Sequence, residues 1–160
     1  MSQVPAIYHR PDPAPPMALG ERVIAIVIAL FCLTPLVLAV GLTPDPSGMG
    51  THEPLHLARC GWLERSGIPC PTCGMTTSFA WFVRGNWLAS LYVQPMGFLV
   101  AMLSGMVFWV AGYEAVTGHP LHRLLRSIPL RYTVLPLMGL TVLGWGWKMF
   151  IYLKRIDGWH

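Results

Sequence analysis

Val23-Ile-Ala-Ile-Val-Ile-Ala-Leu-Phe-Cys-Leu-Thr-Pro-Leu-Val-Leu-Ala-Val-Gly-Leu-Thr-Pro44 carries no charged side chain from end to end. At a rise of ~1.5 Å per residue, about 20 residues cross the ~30 Å hydrocarbon core of a bilayer. The run therefore reads as a first transmembrane helix over 23–43, preceded by Arg22 and kinked at Thr34-Pro35, which a membrane helix tolerates. Ala39-Val40-Gly41 has the small residues of a signal-peptidase site. The apolar stretch nevertheless exceeds the ~7–15 residues of a signal peptide, so it reads as an anchor that is kept.

The rest of the chain shares this character. Of 160 residues, 54% are hydrophobic and only 11% charged, against a usual charged share of about 25%. The deficit points to lipid as a solvent. A net charge of +4 arises from scattered arginines and lysines, without the basic runs and interleaved aromatics that nucleic-acid binding calls for, so nucleic acid is not expected as a partner. Two further spans are read at 95–116 and 132–153. The second span starts at Pro95 and carries Gly97, Ala101 and Gly105 at every fourth position, a stripe that admits a close helix neighbour, either within the chain or in a second copy. The third has Trp145, Trp147 and Tyr152 for the interface and Lys148 one turn from its end, placed to snorkel outward. Ahead of the first span, residues 1–20 hold Pro5, Pro11, Pro13, Pro15 and Pro16 and read as a flexible tail. The expected architecture is an all-α, polytopic integral membrane protein: the tail, then a single membrane domain over 21–160 with the bilayer as its first partner.

Between the first two spans the composition changes. Residues 44–73 form an extramembrane loop rich in Pro, Gly, His and Cys, with a short helix expected to begin at Pro54. Residues 74–93 are apolar but broken at Arg84-Gly85-Asn86 and again at Gln94-Pro95. Neither piece is long enough to cross, so this segment reads as a re-entrant or interfacial helix or helical pair.

Cys70-Pro71-Thr72-Cys73-Gly74-Met75-Thr76-Thr77 joins loop and hairpin. Pro71 suits the first position of a helix, which makes Cys70 the expected N-cap and puts Cys73 in the first turn. Unpaired N–H groups at a helix start stabilise thiolates, and a Cys-X-X-Cys pair there can be nucleophilic, metal-binding or disulfide-forming. Thr76 and Thr77, one turn on, are placed to hydrogen-bond a thiolate, a ligand or a backbone carbonyl. Cys60 lies ten residues upstream of Cys70, with Gly61 and Gly67 to let the chain turn back. With His52 these residues make a Cys₃His donor set for a tetrahedral zinc. A disulfide from Cys60 to Cys70 or Cys73 is the alternative if the loop faces an oxidising compartment. Cys32 sits alone in the first span.

His52-Glu53-Pro54-Leu55-His56 matches the H-E-x-x-H pattern of zinc proteases. That chemistry needs both histidines on one helix face, and Pro54 between them forbids a continuous helix. The remaining histidines, His9, His119, His122 and His160, read as solvated loop residues without cysteine or acid company, and Glu114 reads as an interfacial acid.

The order His52, Cys60, Gly67-Ile68-Pro69-Cys70-Pro71-Thr72-Cys73-Gly74-Met75-Thr76-Thr77, Gly85 and Gln94-Pro95 resembles the bacterial membrane family called domain of unknown function 2752. The likeness covers about residues 50–110. It implies a small multi-pass bacterial membrane protein with a shared cysteine site, and it supplies no activity. Many members carry Arg after the first threonine of the core where this chain has Thr77.

Two functions stay open on this reading. One is a non-enzymatic membrane protein of the bacterial inner membrane whose Cys/His hairpin is closed by zinc or a disulfide, with a scaffolding or binding role and a homo-oligomer or other membrane partner at the Gly97/Ala101/Gly105 face. The other is a membrane thiol–disulfide oxidoreductase using Cys70 and Cys73. Basic residues divide evenly: Arg10, Arg22, Arg123, Arg126 and Arg131 on one side of three spans, and Arg59, Arg65, Arg84, Lys154 and Arg155 on the other. The short 117–131 loop is denser in arginine and has no acid. This places the N-terminus in the cytoplasm and the cysteine loop in the periplasm.

Overall fold

The computed structural model describes residues 16–51, 53, 60–125 and 130–159. Among these residues every regular element is helical: α1 Leu19–Val40, α2 Gly61–Ser66, α3 Met75–Val83, α4 Trp87–Val93, α5 Pro95–Thr117, α6 His122–Leu125 and α7 Leu130–Leu153. Three stretches are long and apolar enough to cross a membrane, Leu19–Val40, Pro95–Thr117 and Val134–Leu153. They match the expected spans, with α1 starting inside the segment read as tail. Ala18 cannot cap that start with its side chain, but its N–H donates to Glu21 Oε2 at 3.0 Å, so an acid in the first turn also meets the positive end of the helix.

α1 and α5 pack against each other and run antiparallel. Met17 N–H donates to Gly118 O at 3.0 Å where α1 begins and α5 ends. The residues buried on α1 are Ala25, Ala29 and Ala39, and those on α5 include Gly97, Ala101 and Ala111. Small side chains let the two backbones approach closely, which is how helices associate where lipid offers no hydrophobic drive. The large apolar side chains point outward: Phe31 is 79% exposed and Trp109 75%.

α3 and α4 form a short helical hairpin resting on α1 and α5. At 9 and 7 residues they are roughly 13 and 10 Å long, well short of a ~30 Å core. A buried polar seam holds the hairpin together. Ser90 Oγ donates to Ser78 O at 2.8 Å, while Ser78 Oγ lies 2.9 Å from Ser90 O. Gly97 lets α5 come close to the hairpin, since a Cβ there would fall 2.8 Å from the Ser78 Cβ. Two positions of the small-residue stripe are thus occupied within the chain: Gly97 faces Ser78, and Ala101 joins Ala39 and Phe79 in the core. Arg84, at the turn of the hairpin, donates to Ala80 O at 2.8 Å and reaches Ala39 O and Val40 O at 3.3 and 3.4 Å. It thereby adds donors to carbonyls in the last turn of α1, one of which, Ala39 O, also accepts from Leu42 N–H at 3.3 Å.

Candidate metal centre

The Cys70–Cys73 segment is a turn, and α3 begins after it. Cys73 N–H donates to Cys70 O at 3.1 Å. This closes a four-residue turn with Pro71 at its second position, where the φ fixed by the proline ring is equally at home. The expectation that Cys70 caps the helix is therefore corrected. The cap residue is Gly74 at φ 86°, and a helix cannot run through a residue held in that left-handed region. Glycine is required for a second reason: a Cβ on Gly74 would lie 2.8 Å from Gly48 O and 2.9 Å from Lys148 Nζ.

Cys60 comes from the other direction. It is the cap residue of α2, whose own end is turned back by Gly67 at φ 69°. The sulfurs of Cys60, Cys70 and Cys73 lie within 4.8 Å of one another, with Cys70 and Cys73 3.2 Å apart. These three thiols could hold a metal ion. They open on a cavity of about 750 Å³ whose lining also includes Thr76 and three acidic residues, Asp45, Glu53 and Glu64. His52 and His56, named from sequence as a ligand and as part of the protease-like pattern, lie outside the described residues, as does Pro54.

The thiols differ electrostatically. Burial opposes ionisation of Cys70, but hydrogen bonds from the Thr72 hydroxyl, at 3.2 Å, and from the Cys73 and Cys60 thiols outweigh it and bring Cys70 down to about 7. Cys73 is pushed up to about 12, first by burial and then by giving its hydrogen bond to Cys70. The pair is a ready thiolate beside a protected thiol.

Groups from distant segments fix the backbone of the turn. Gln94 Nε2 donates to Pro71 O at 2.7 Å, and Trp145 Nε1 donates to Pro69 O at 3.0 Å. Thr77, fully buried, shares a 2.8 Å hydrogen bond with Thr51, whose hydroxyl accepts from Asp45 N–H at 2.9 Å. Thr77 therefore ties α3 to the loop after α1, whereas Thr76 is half-buried and lines the cavity. Lys148 does not snorkel outward. It is fully buried, and its Nζ donates to Gly48 O at 3.1 Å and to Asp157 Oδ1 at 2.8 Å. A charged side chain inside an apolar helix turns inward when a carboxylate and a carbonyl meet it there. The snorkelling expectation failed because Asp157 lies beyond the helix end, where sequence spacing does not reveal it. Gln94, Trp145, Lys148 and Asp157 all escaped the site as read from sequence. The one available signal was Lys148 itself, a lone charge in an apolar run.

At the other end of the bundle, Glu114 is buried and accepts hydrogen bonds from His122 N–H and, at 3.2 Å, from the His122 ring. His122 is exposed, as a solvated loop residue should be, but it does have acid company.

Fold and site together define an all-helical membrane-type chain, with three helices able to cross and a metal-competent thiol cluster at one end of the bundle. Residues 60–108 match a family described as protein of unknown function (DUF2752), the family that the cysteine motif resembles. The matched segment holds Cys60, the Cys70–Cys73 turn, the α3–α4 hairpin and the first half of α5. No significant match was found to a curated protein or to a solved structure.

Proposed function

We propose that this is a small multi-pass protein of the bacterial cytoplasmic membrane in which Cys60, Cys70 and Cys73, with His52 as fourth ligand, hold one zinc ion. The metal clasps the loop 44–73 to the hairpin, and the clasped end serves a scaffolding or binding role. The observation that carries this reading is the convergence of three thiols within 4.8 Å. Sulfurs sharing one tetrahedral zinc at Zn–S distances near ~2.3 Å stand about 3.8 Å apart, so the donor set fits after a small opening of the Cys70–Cys73 pair. Bound zinc would add a cross-link between the loop and the hairpin to the hydrogen bonds that already fix the turn. The arginine-dense, acid-free 117–131 loop supports placing the N-terminus in the cytoplasm and the thiols in the periplasm. Zinc analysis of the membrane-purified protein tests the assignment: one ion per chain, lost in Cys70→Ser. Absence of metal, with all thiols freely alkylated in native membranes, refutes both the zinc and the disulfide closure.

One observation favours a second reading, the contrast between Cys70 at about 7 and Cys73 at about 12. In that reading the Cys70 thiolate attacks a disulfide of a partner protein, forms a mixed disulfide and expels one partner thiolate. Cys73 gives up its proton and attacks the Cys70 sulfur, releasing the second partner thiolate. The partner is reduced by two electrons, and Cys70–Cys73 becomes the disulfide. A mixed disulfide that accumulates in Cys73→Ser but not in Cys70→Ser is its expected sign.

A further inference from the structure

α2 is anchored differently from its neighbours. None of its residues is buried, and Trp62 is 56% exposed. Among the described residues its hydrogen bonds close within the element: Glu64 N–H to Cys60 O, Gly67 N–H to Leu63 O and Ser66 Oγ to Trp62 O. Its charged side chains, Glu64 and Arg65, are exposed and form no ion pair among the described residues. What brings α2 to the turn is the sulfur of its cap residue, Cys60, within 4.8 Å of the Cys70 and Cys73 sulfurs. There Leu63 and Glu64 form one wall of the thiol cavity. The neighbouring segments have anchors of their own. Gly48 is held by Lys148, Thr51 by Thr77, Pro71 by Gln94 and Pro69 by Trp145. A change at the Cys60 sulfur therefore frees α2 and leaves the rest in place.

Cys70 and Cys73 are placed to make such a change. Their sulfurs stand 3.2 Å apart on one turn, closed by the bond from Cys73 N–H to Cys70 O. The end Cα atoms of a tight turn lie within about 7 Å, and a disulfide spans about 4.4–6.8 Å between Cα atoms. The pair can therefore join without dragging α2 along, and a bond inside the turn puts no tie on Cys60. Both residues line the cavity, and Cys70 is the more exposed, so an incoming disulfide meets Cys70 first.

We propose that α2 is a redox-released latch: the zinc shared by Cys60, Cys70 and Cys73 holds it over the cavity, and oxidation of the Cys70–Cys73 pair by a low-molecular-weight disulfide lets it go. The latch rests on the zinc assignment above. The Cys70 sulfur attacks one sulfur of the small disulfide, breaks its S–S bond and releases one thiolate. The Cys73 sulfur then attacks Cys70, forms the Cys70–Cys73 bond and releases the second thiolate. The protein pair gives two electrons and the small disulfide takes them. Zinc leaves as Zn²⁺, since only the Cys60 sulfur remains of the three thiolate donors.

Oxidised glutathione added to the zinc-loaded full chain in detergent micelles tests the latch, read by released zinc, disulfide mapping and amide hydrogen exchange. The expected result is one zinc released per Cys70–Cys73 disulfide formed. Exchange at residues 64–67 should accelerate at least about tenfold, with exchange in α3 and α5 unchanged. Excess dithiothreitol and zinc should reverse both effects. In Cys60→Ser, exchange at 64–67 should be fast from the outset and unmoved by oxidation, while α3 and α5 stay as protected as in the unaltered chain. A reduced, zinc-supplied chain that takes up no zinc overturns the metal assignment and the latch with it. With zinc bound, the latch alone is overturned by a pair that does not oxidise, by a disulfide that includes Cys60 or by zinc retained beside the Cys70–Cys73 disulfide. Unchanged exchange at 64–67, or protection that persists in Cys60→Ser, overturns it equally.

Discussion

Compare the two polar ends of the bundle. Where α1 begins and α5 ends, polar groups meet side chain to side chain, one pair near the surface and one around the buried Glu114. Glu21 and Arg123 stand 3.6 Å apart with about two-fifths of each side chain exposed, and Glu114 pairs with a half-exposed His122. Where α1 ends and α5 begins, polar side chains reach backbone carbonyls in segments far away along the chain: Lys148 to Gly48, Gln94 to Pro71, Trp145 to Pro69 and Arg84 to Ala39. The exposed Glu21–Arg123 pair tolerates exchange of its partners, because water and salt compete for them. The second arrangement fixes main-chain positions, and it is built around the turn that carries the thiols. The thiol end is thus a shaped site, whereas the opposite end is a charged rim around one buried carboxylate.

The widest contrast lies within the shaped end. In metal-free protein near pH 7.5, Cys70 is expected to alkylate at least about a hundredfold faster than Cys73, because reaction goes through the thiolate. The Cys70 rate should rise to half its plateau near pH 7 and level off by about pH 9, in line with its lowered value of about 7, while Cys73 reacts only as the pH nears its value of about 12. Mass-resolved alkylation kinetics read both, and equal rates at neutral pH contradict the asymmetry. Next comes the buried pair. Lys148→Met leaves Asp157 buried without its cation and is expected to destabilise by about 3–5 kcal/mol. Arg123→Gln, at the exposed rim, should cost under about 1 kcal/mol. Denaturant unfolding in micelles measures both, and similar losses would erase the distinction between the ends. Gly74→Ala meets a carbonyl and an ammonium at a positive φ, with an expected loss of about 1–3 kcal/mol in the same assay. Glu114→Gln should lose about 1–2 kcal/mol, since the amide oxygen still accepts from His122 N–H. A larger loss there would mean that the rim is as tightly organised as the thiol end. The smallest effect is expected for Gly105→Ala. Nothing lies within 4 Å of the added methyl, so the variant should gain about 0.5–1 kcal/mol from helix propensity.

The three long helices were legible because their signal is local. The uncharged run from Val23 to Pro44 implies a span wherever its neighbours lie, and α1, α5 and α7 fall within a few residues of the expected bounds. The hairpin was legible from its breaks at Arg84-Gly85-Asn86 and Gln94-Pro95. Cys70-Pro71 was ambiguous in a physical sense. A proline with fixed φ serves the first turn of a helix and the second position of a tight turn equally well, and Gly74 decided between them through contacts with Gly48 and Lys148. The convergence of Cys60 with the pair could be entertained from spacing, since glycines flank it. The support for the turn could not, because Lys148, Trp145 and Asp157 reach it from the far end of the chain. His122 was misjudged for a milder version of the same reason: its acid, Glu114, sits eight residues back across a chain reversal.

The bond from Lys148 to Gly48 crosses 100 residues, and that from Trp145 to Pro69 crosses 76. Synthesis runs from the N-terminus at about 5–20 residues per second. The cysteines therefore emerge many seconds before the side chains that hold their turn in shape. For that interval the thiol turn lacks the donors that α7 brings, Trp145 to Pro69 and Lys148 to Gly48. A ribosome stalled before residue 145 would hold a chain with its cysteine motif complete in sequence and unfinished in form.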